Sequence, residues 1–348
     1  MTKHKTITGS VLITLATLAG LSIPACRVTN MPLWEQPAPA GKYEVERIRE
    51  VVYFQGQEED AFRHQLDLYL PKGQKDFPVV VLIHGGAWIM GDNRCCGLYS
   101  SVGEFLASQG IGAVLPNYRL APGVRHPEQI KDVARAFAWT RRHIADYGGS
   151  PEKLFLAGHS AGGHLVALLA TDERYLKAEG LSGAYIRGVI AVSGVYRIPP
   201  GKMEAIWGGV TPSAFRFDEI SPLREPGGLS LIGAAVQGLP LKLNVFGPAF
   251  GNDPKMREDA SPINHVQPGL PPFLIVNAER DLPTLAALGQ DFHKALLDKG
   301  CDAQLMKIAN RNHNSVMFHA ITADDPVAAA MVEFVLWGGR ATRAEPPH

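Results

Sequence analysis

The sequence holds little that would indicate a metal, a cofactor or a charged macromolecular partner. Only four cysteines occur in 348 residues, and no Cys-x-x-Cys pair or His-rich tract of the zinc-binding kind is present. Lys plus Arg and Asp plus Glu both number 34, so no excess of one charge favours nucleic acid as a partner. Phosphate-binding loops and dinucleotide fingerprints are also missing, and we therefore expect neither a metal nor a cofactor.

Long apolar runs are absent from the chain after its N-terminal segment. No stretch in that part reaches the roughly 18 apolar residues that a membrane-spanning helix needs. The N-terminus itself begins with Lys3 and Lys5, continues with an apolar run from Val11 to Ile23, and reaches Pro24-Ala25-Cys26. A basic start, a short apolar core and a small residue before a cleavage point are typical of an export signal, here residues 1–26.

The fate of this signal remains open between three outcomes. Its end resembles a bacterial lipobox, in which Cys26 would carry a lipid anchor, although Pro24 is atypical there. Ordinary cleavage and an uncleaved membrane anchor are the alternatives. We expect an exported protein, which is periplasmic, secreted or anchored as a lipoprotein. Export permits a disulfide, but the sequence does not decide whether Cys95 or Cys96 would pair with Cys301.

The rest of the chain divides into a proline-punctuated linker, residues 27–45, and one domain, residues 46–340, in which strands and helices alternate. Several strands are continuous apolar runs, which predicts a mostly parallel sheet flanked by helices, the α/β class. The predicted strands are Val51–Phe54, Gln65–Leu70, Pro78–Ile83, Gly112–Pro116, Leu154–Ala157, Gly188–Val192, Phe273–Ala278 and Ala303–Ile308, and the helices are Ile130–Ile144, Ser160–Thr171, Gln290–Lys299 and Asp325–Trp337.

One segment, residues 199–262, interrupts this alternation. A long irregular insertion in a compact domain is commonly a lid or a binding loop, and its aromatic content argues against disorder. We predict a cap over the active site. Its aromatic residues either line an acyl pocket or pack the cap itself; they include Trp207, Phe215, Phe217, Phe246 and Phe250.

A nucleophile is indicated by Gly158-His159-Ser160-Ala161-Gly162, which matches Gly-x-Ser-x-Gly. The pentapeptide alone is common, but here an apolar strand precedes it and a helix of small residues follows. Flanking glycines allow the sharp turn that lifts a serine off the end of a strand. We predict Ser160 as the nucleophile; the alternative is a helix N-cap serine.

An oxyanion hole is indicated by His84-Gly85-Gly86-Ala87-Trp88, directly after a predicted buried strand. The tetrahedral intermediate of acyl transfer needs preorganised N–H donors. We assign Gly86 and Ala87 as donors, with Gly85 as a further candidate, and Ala161 after the nucleophile as the other donor. His84 is expected to brace the loop.

The acid and the base should follow the serine in the order Ser, Asp, His. Asp281 follows the predicted strand Phe273–Ala278 and is suited to orient an imidazole, with Glu279 as its rival. His313 follows the next strand and is suited to act as general base, with His319 as its nearby competitor.

These motifs together resemble the kynurenine formamidase and prenylcysteine methylesterase branch of the α/β-hydrolases and, more distantly, the hormone-sensitive-lipase-like carboxylesterases. The resemblance covers about residues 51–337 and is carried mainly by Pro78–Asp92, Asn117–Leu120, Tyr147–Gly149 and Gly158–His164. It implies the α/β-hydrolase fold, a catalytic triad of Ser160, Asp281 and His313, and an oxyanion loop at Gly85–Trp88. Ala87 stands where the lipase-like members have a third glycine.

The function predicted from these residues is hydrolysis of a small-molecule carboxylic ester through an acyl-enzyme. Three alternatives stay open: an amidase of the arylformamidase type, a transacylase, and a non-catalytic binding protein on the same fold. The export signal departs from the mainly intracellular members of the family and disfavours a formamidase of tryptophan breakdown.

Overall fold

The computed structural model describes residues 41–94, 97–200 and 246–339. The predicted export signal with Cys26, the linker as far as residue 40 and the cysteine pair at 95–96 lie outside these residues. So do residues 201–245 of the predicted cap, with Trp207, Phe215 and Phe217. None of the helices in the described ranges has the length and apolarity needed to cross a membrane.

Eight strands form a single sheet in the described part of the chain, in the order β1-β2-β4-β3-β5-β6-β7-β8. Strand β2 runs antiparallel to both of its neighbours, and the remaining strands are parallel. The bounds are β1 Val45–Val52, β2 Gln65–Pro71, β3 Phe77–Ile83, β4 Gly112–Pro116, β5 Gly149–His159, β6 Ile186–Val192, β7 Phe273–Arg280 and β8 Ala303–Asn312.

Helices cover both faces of this sheet. Apolar side chains of α1 and α9 belong to the core on one face, and those of α2, α3 and α7 to the core on the other. The helices are α1 Leu98–Ser108, α2 Glu128–His143, α3 Ala161–Thr171, α4 Arg174–Ala178, α5 Phe246–Phe250, α6 Pro254–Asp259, α7 Leu285–Asp298, α8 Ser315–Phe318 and α9 Pro326–Leu336.

The apolar run of β3 is explained by this two-sided burial. Val79, Val81 and Ile83 pack into one core, whereas Val80 and Leu82 pack into the other, and all five are essentially inaccessible to solvent. A strand that buries both faces cannot alternate apolar with polar residues. The predicted mostly parallel sheet flanked by helices is therefore confirmed.

Helix α1 was not predicted from the sequence. It contains Ser100, Ser101 and Gly103, which are weak helix formers, and the two serine hydroxyls donate to the carbonyl of Gly97 at the start of the helix. Gly103 lets the helix lie close to the sheet, because a Cβ there would come within 3.0 Å of the ring of Tyr69. Tertiary packing, rather than local propensity, accounts for this helix.

The parallel strands end at one edge of the sheet, and the motif residues follow those ends. His84 comes directly after β3, Ser160 after β5 and Ser193 after β6, while Asp281 and His313 follow β7 and β8. In open α/β sheets this carboxyl edge is where ligands bind. The fold therefore gathers residues that are far apart in sequence into one place.

Candidate active site

Ser160 sits on a strained turn between β5 and α3. Its φ of 56° and ψ of −117° lie outside the regions that ordinary L-residues favour, and its N–H donates to the carbonyl of Val192 at 2.9 Å. The flanking glycines make the turn possible: a Cβ on Gly158 would lie 2.4 Å from the carbonyl oxygen of Gly162, and one on Gly162 would lie 2.1 Å from that of Ile83. This is the geometry of a nucleophile elbow.

Ser160, His313 and Asp281 form a continuous hydrogen-bonded series. His313 Nε2 lies 2.9 Å from Ser160 Oγ, and His313 Nδ1 lies 2.8 Å from Asp281 Oδ1. Because an ionised carboxylate only accepts, the imidazole places its proton on Nδ1 and leaves Nε2 free to accept the serine proton. The three side chains therefore have the relative geometry that acyl transfer requires of a nucleophile, a base and a group that orients the base.

The carboxylate of Asp281 is held by three donors besides His313. They are the N–H groups of Leu282 at 2.9 Å and Ala278 at 3.1 Å, and the hydroxyl of Ser193 at 2.6 Å. Burial raises the pKa of Asp281, but the hydrogen bonds from His313, Ser193 and Leu282 outweigh it and lower that pKa to about 2. The carboxylate therefore stays ionised at neutral and mildly acidic pH.

The alternatives to Asp281 and His313, which are Glu279 and His319, lie outside this hydrogen-bonded series. Glu279 is exposed, and its Oε2 accepts the N–H of Asn310 at 2.9 Å. His319 is also exposed and contacts the guanidinium of Arg311. It directly follows the short helix α8 and precedes the last helix, which begins at Pro326.

The loop after β3 contains three consecutive residues with positive φ. The angles are 115° at Gly86, 53° at Ala87 and 61° at Trp88. A side chain at Gly86 is sterically impossible without rearrangement, since its Cβ would lie 2.0 Å from the carbonyl oxygen of Met90. A left-handed conformation costs a non-glycine residue about 1–2 kcal/mol, so this loop is held in shape by its surroundings.

The predicted oxyanion donors differ in whether their N–H groups are already engaged. The N–H of Gly85 donates to the Tyr99 hydroxyl at 2.7 Å, so it is not available to a substrate. No acceptor for the N–H groups of Gly86, Ala87 and Ala161 is found within residues 41–94, 97–200 and 246–339. We therefore correct the assignment by removing Gly85 and keeping the other three.

The Trp88 side chain anchors the oxyanion loop to α3. Its indole N–H donates to His164 Nδ1 at 3.2 Å, and His164 Nε2 lies 2.7 Å from the carbonyl of Ala260. Burial lowers the pKa of His164 to about 3, so the ring is neutral and can accept from Trp88 and donate to Ala260.

The part of the predicted cap that the structure describes packs on this anchor. The rings of Phe246 and Phe250 lie 5.8 and 4.9 Å from Trp88, and both residues are buried. Arg257 joins the two sides of the insertion, because its guanidinium donates to the carbonyls of Pro199 and Gly251. For these two phenylalanines, packing accounts for the aromatic side chain.

His84 braces the loop, as its position in the motif predicts. Its Nδ1 lies 2.7 Å from the carbonyl of Gly85, and its ring stacks on Tyr118 at 4.3 Å. Burial lowers the pKa of His84 to about 4, so it is neutral. The Tyr118 hydroxyl donates to the His84 carbonyl, and the N–H of Ala121 donates to the carbonyl of Trp88. Within the described ranges, no group of three or more His, Cys, Asp or Glu side chains is placed to hold a metal ion.

Comparison with known proteins finds similarity to proteins that are named as ester hydrolases. A family model described as BD-FAE matches residues 66–195. The chain is 30% identical to the probable carboxylic ester hydrolase LipM of Mycobacterium tuberculosis over 207 residues. The aligned stretch is 59% of this chain and 41% of LipM. It is also 34% identical over 148 residues to the probable isoprenylcysteine alpha-carbonyl methylesterase ICMEL1 of Arabidopsis thaliana. This second alignment covers 40% of this chain and 30% of ICMEL1. The chain thus spans less than half the length of these two relatives.

Solved structures give the fold. The chain matches an esterase from Pyrobaculum calidifontis with a TM-score of 0.60 and 22% identity, covering 86% of each chain. It matches a truncated carbohydrate esterase from gut microbiota with a TM-score of 0.60 and 21% identity, covering 87% of this chain and 99% of the other. The sheet order, the nucleophile elbow and these structural similarities agree, and the chain has the α/β-hydrolase fold.

Proposed function

We propose that the protein hydrolyses small-molecule carboxylic esters through an acyl-enzyme on Ser160. The observation that carries the proposal is the hydrogen-bonded series from Ser160 Oγ through His313 to Asp281 at 2.9 and 2.8 Å. The relatives named as ester hydrolases support the same reaction class. A site that only binds a ligand has no need of a strained serine paired with an oriented imidazole.

The reaction follows from the roles that these atoms can play. Ser160 Oγ attacks the ester carbonyl carbon while His313 Nε2 takes its proton, and the N–H groups of Gly86, Ala87 and Ala161 stabilise the oxyanion. The intermediate collapses, the C–O bond to the alcohol breaks, and His313 returns the proton to the leaving alcohol. Water then attacks the acyl-enzyme by the same route and releases the acid. Asp281 stays ionised and stabilises the imidazolium of His313.

A chromogenic ester series tests this function. We expect the protein to hydrolyse p-nitrophenyl esters, with the rate measured from acetyl to palmitoyl to give the acyl-length profile. N-formylkynurenine is assayed in parallel, because an arylformamidase would use the same residues. Hydrolysis of the formyl compound alone would replace the ester proposal with an amidase. If neither the esters nor the formyl compound were hydrolysed, a binding protein on this fold would be favoured.

We further propose that the protein is exported by residues 1–26 and is held at a membrane by a lipid on Cys26. The proposal is supported by the basic start, the apolar run and the small residue before Cys26. In a bacterial host, we expect mass spectrometry of the purified protein to find a lipid-modified N-terminus at Cys26. The Cys26→Ser variant should lose the lipid and leave the membrane fraction. A wild-type N-terminus that is free and unmodified would support ordinary cleavage instead.

A further inference from the structure

His159, the residue before the nucleophile, has both ring nitrogens engaged and is only 2% exposed. Its Nδ1 lies 3.1 Å from the hydroxyl of Tyr99, and its Nε2 lies 2.8 Å from the backbone carbonyl of His313. The same Tyr99 hydroxyl accepts the N–H of Gly85 at 2.7 Å. Three hydrogen bonds thus connect the oxyanion loop, the nucleophile elbow and the loop that carries the general base.

The direction of these bonds is fixed by what each group can do. The carbonyl of His313 only accepts, so His159 must carry its proton on Nε2 and donate it there. The unprotonated Nδ1 then accepts from the Tyr99 O–H, and the hydroxyl oxygen accepts from Gly85. Burial, and to a lesser extent the nearby His313, lower the pKa of His159 to about 3, which keeps the ring in this neutral form.

Packing leaves these groups little freedom to move. Tyr99 is 5% exposed, and the ring of Phe318 lies edge-on to both Tyr99 at 5.8 Å and His159 at 5.6 Å. A Cβ on Gly85 would lie 2.9 Å from the Tyr99 hydroxyl and 3.2 Å from the Cβ of Ser160. The oxyanion loop therefore meets the elbow and Tyr99 at a distance that only glycine permits.

We propose that Tyr99 and His159 are positioning residues, which hold the oxyanion loop and the His313 loop at a fixed separation on either side of Ser160. The inference rests on the proposed ester hydrolysis for its kinetic consequence. The two loops follow β3 and β8, which are separate strands of the sheet, so their mutual position must be set by contacts of this kind. Sub-ångström errors in that position weaken transition-state stabilisation far more than substrate binding.

A neutral imidazole suits this position better than a charged side chain. The ring centroids of His159 and His313 are 4.8 Å apart, and His313 becomes an imidazolium during each half-reaction. A second cation at that distance in a buried site would oppose its formation. Histidine offers one donor and one acceptor on opposite sides of a rigid ring, without a charge.

The kinetic test compares Tyr99→Phe with Tyr175→Phe. Tyr175, which lies on α4, is also buried, and its hydroxyl lies 3.5 Å from Nε2 of His126, another buried histidine. We expect Tyr99→Phe to lower kcat for ester hydrolysis by about tenfold with KM within twofold, because the interaction is needed mainly in the transition state. Tyr175→Phe should keep wild-type kcat and KM. Wild-type kcat in Tyr99→Phe would overturn the proposal.

Two substitutions of His159 separate its two bonds. The amide nitrogen of glutamine falls near the position of Nε2 and can still donate to the His313 carbonyl, whereas that of asparagine falls near Nδ1 and cannot reach it. We therefore expect His159→Gln to retain several-fold more kcat than His159→Asn. Equal losses in the two variants, with melting temperatures that fall in parallel, would indicate a merely structural role and overturn the proposal.

Nuclear magnetic resonance of the ¹⁵N-histidine-labelled wild-type protein tests the bond directions without any activity. We expect His159 to be the neutral Nε2–H tautomer at neutral pH, and its Nδ1 resonance to shift in Tyr99→Phe. Absence of ester hydrolysis in the wild type would defeat the proposed function but leave this result standing. A proton on Nδ1 of His159 would overturn the inference whatever the activity.

Discussion

Replacement of Ser160 by alanine is expected to lower kcat for ester hydrolysis by about 10⁴-fold or more, to the level that binding and the oxyanion hole alone provide. Alanine has no atom that can attack the carbonyl, so the acyl-enzyme cannot form. The fold should be preserved, because the variant loses only the hydrogen bond to His313 Nε2, which contributes about 1 kcal/mol. The measurement is kcat on the best ester of the series, with the thermal unfolding midpoint recorded for both proteins.

Ser101→Ala is the matched control for this substitution. Ser101 lies on α1, and its hydroxyl donates to the carbonyl of Gly97 at 2.7 Å. Removing that hydroxyl costs a hydrogen bond of the same kind without touching the site, so activity should be unchanged. If Ser160→Ala kept more than a hundredth of the wild-type kcat, another nucleophile would have to be sought.

The sheet could be predicted from the sequence because burial leaves a direct signature. A strand covered on both faces is an unbroken apolar run, and β4, Gly112–Pro116, was predicted with its observed bounds. Strand β5 begins at Gly149, five residues before the predicted start, because its first residues include the partly or fully exposed Pro151, Glu152 and Lys153. Polar residues at the end of a strand carry no apolar signal, and only pairing with the neighbouring strands reveals them.

The site could be predicted in part, because its motifs are local. Gly158 to Gly162 is contiguous and has a fixed geometry, whereas Ser193 and Tyr99 reach Asp281 and His159 from other elements. No spacing in a single sequence predicts these contacts. One signal was present for Ser193, since it directly follows the carboxyl end of β6, where functional residues of this fold collect. For Gly85 the motif alone predicts the wrong role. Its N–H donates to the hydroxyl of Tyr99, a residue that the motif does not contain.

Replacement of Asp281 by asparagine is expected to lower kcat by about 10³–10⁴-fold with little change in side-chain volume. Oδ1 of Asp281 accepts from His313 Nδ1 and the N–H of Leu282, and Oδ2 accepts from Ser193 and the N–H of Ala278. An amide NH₂ must replace one of these acceptors. If it faces His313, the imidazole turns to the tautomer with its proton on Nε2, which then cannot accept from Ser160. If it faces away, the tautomer survives, but the imidazolium loses the negative charge that stabilises it.

Glu279→Gln is the control, because it neutralises a neighbouring carboxylate, which lies two residues before Asp281 at the end of β7. Glu279 is exposed and accepts only the N–H of Asn310 among the described residues, a bond that the glutamine carbonyl can replace. We expect kcat within threefold of the wild type for Glu279→Gln, measured on the same ester and buffer as Asp281→Asn. Comparable losses in the two variants would mean that the combined negative charge of Glu279 and Asp281, rather than the tautomer and charge of His313, supports the reaction. A large loss confined to Asp281→Asn would show that His313 Nδ1 must donate to a carboxylate oxygen. A negative charge farther away would then be unable to replace that carboxylate.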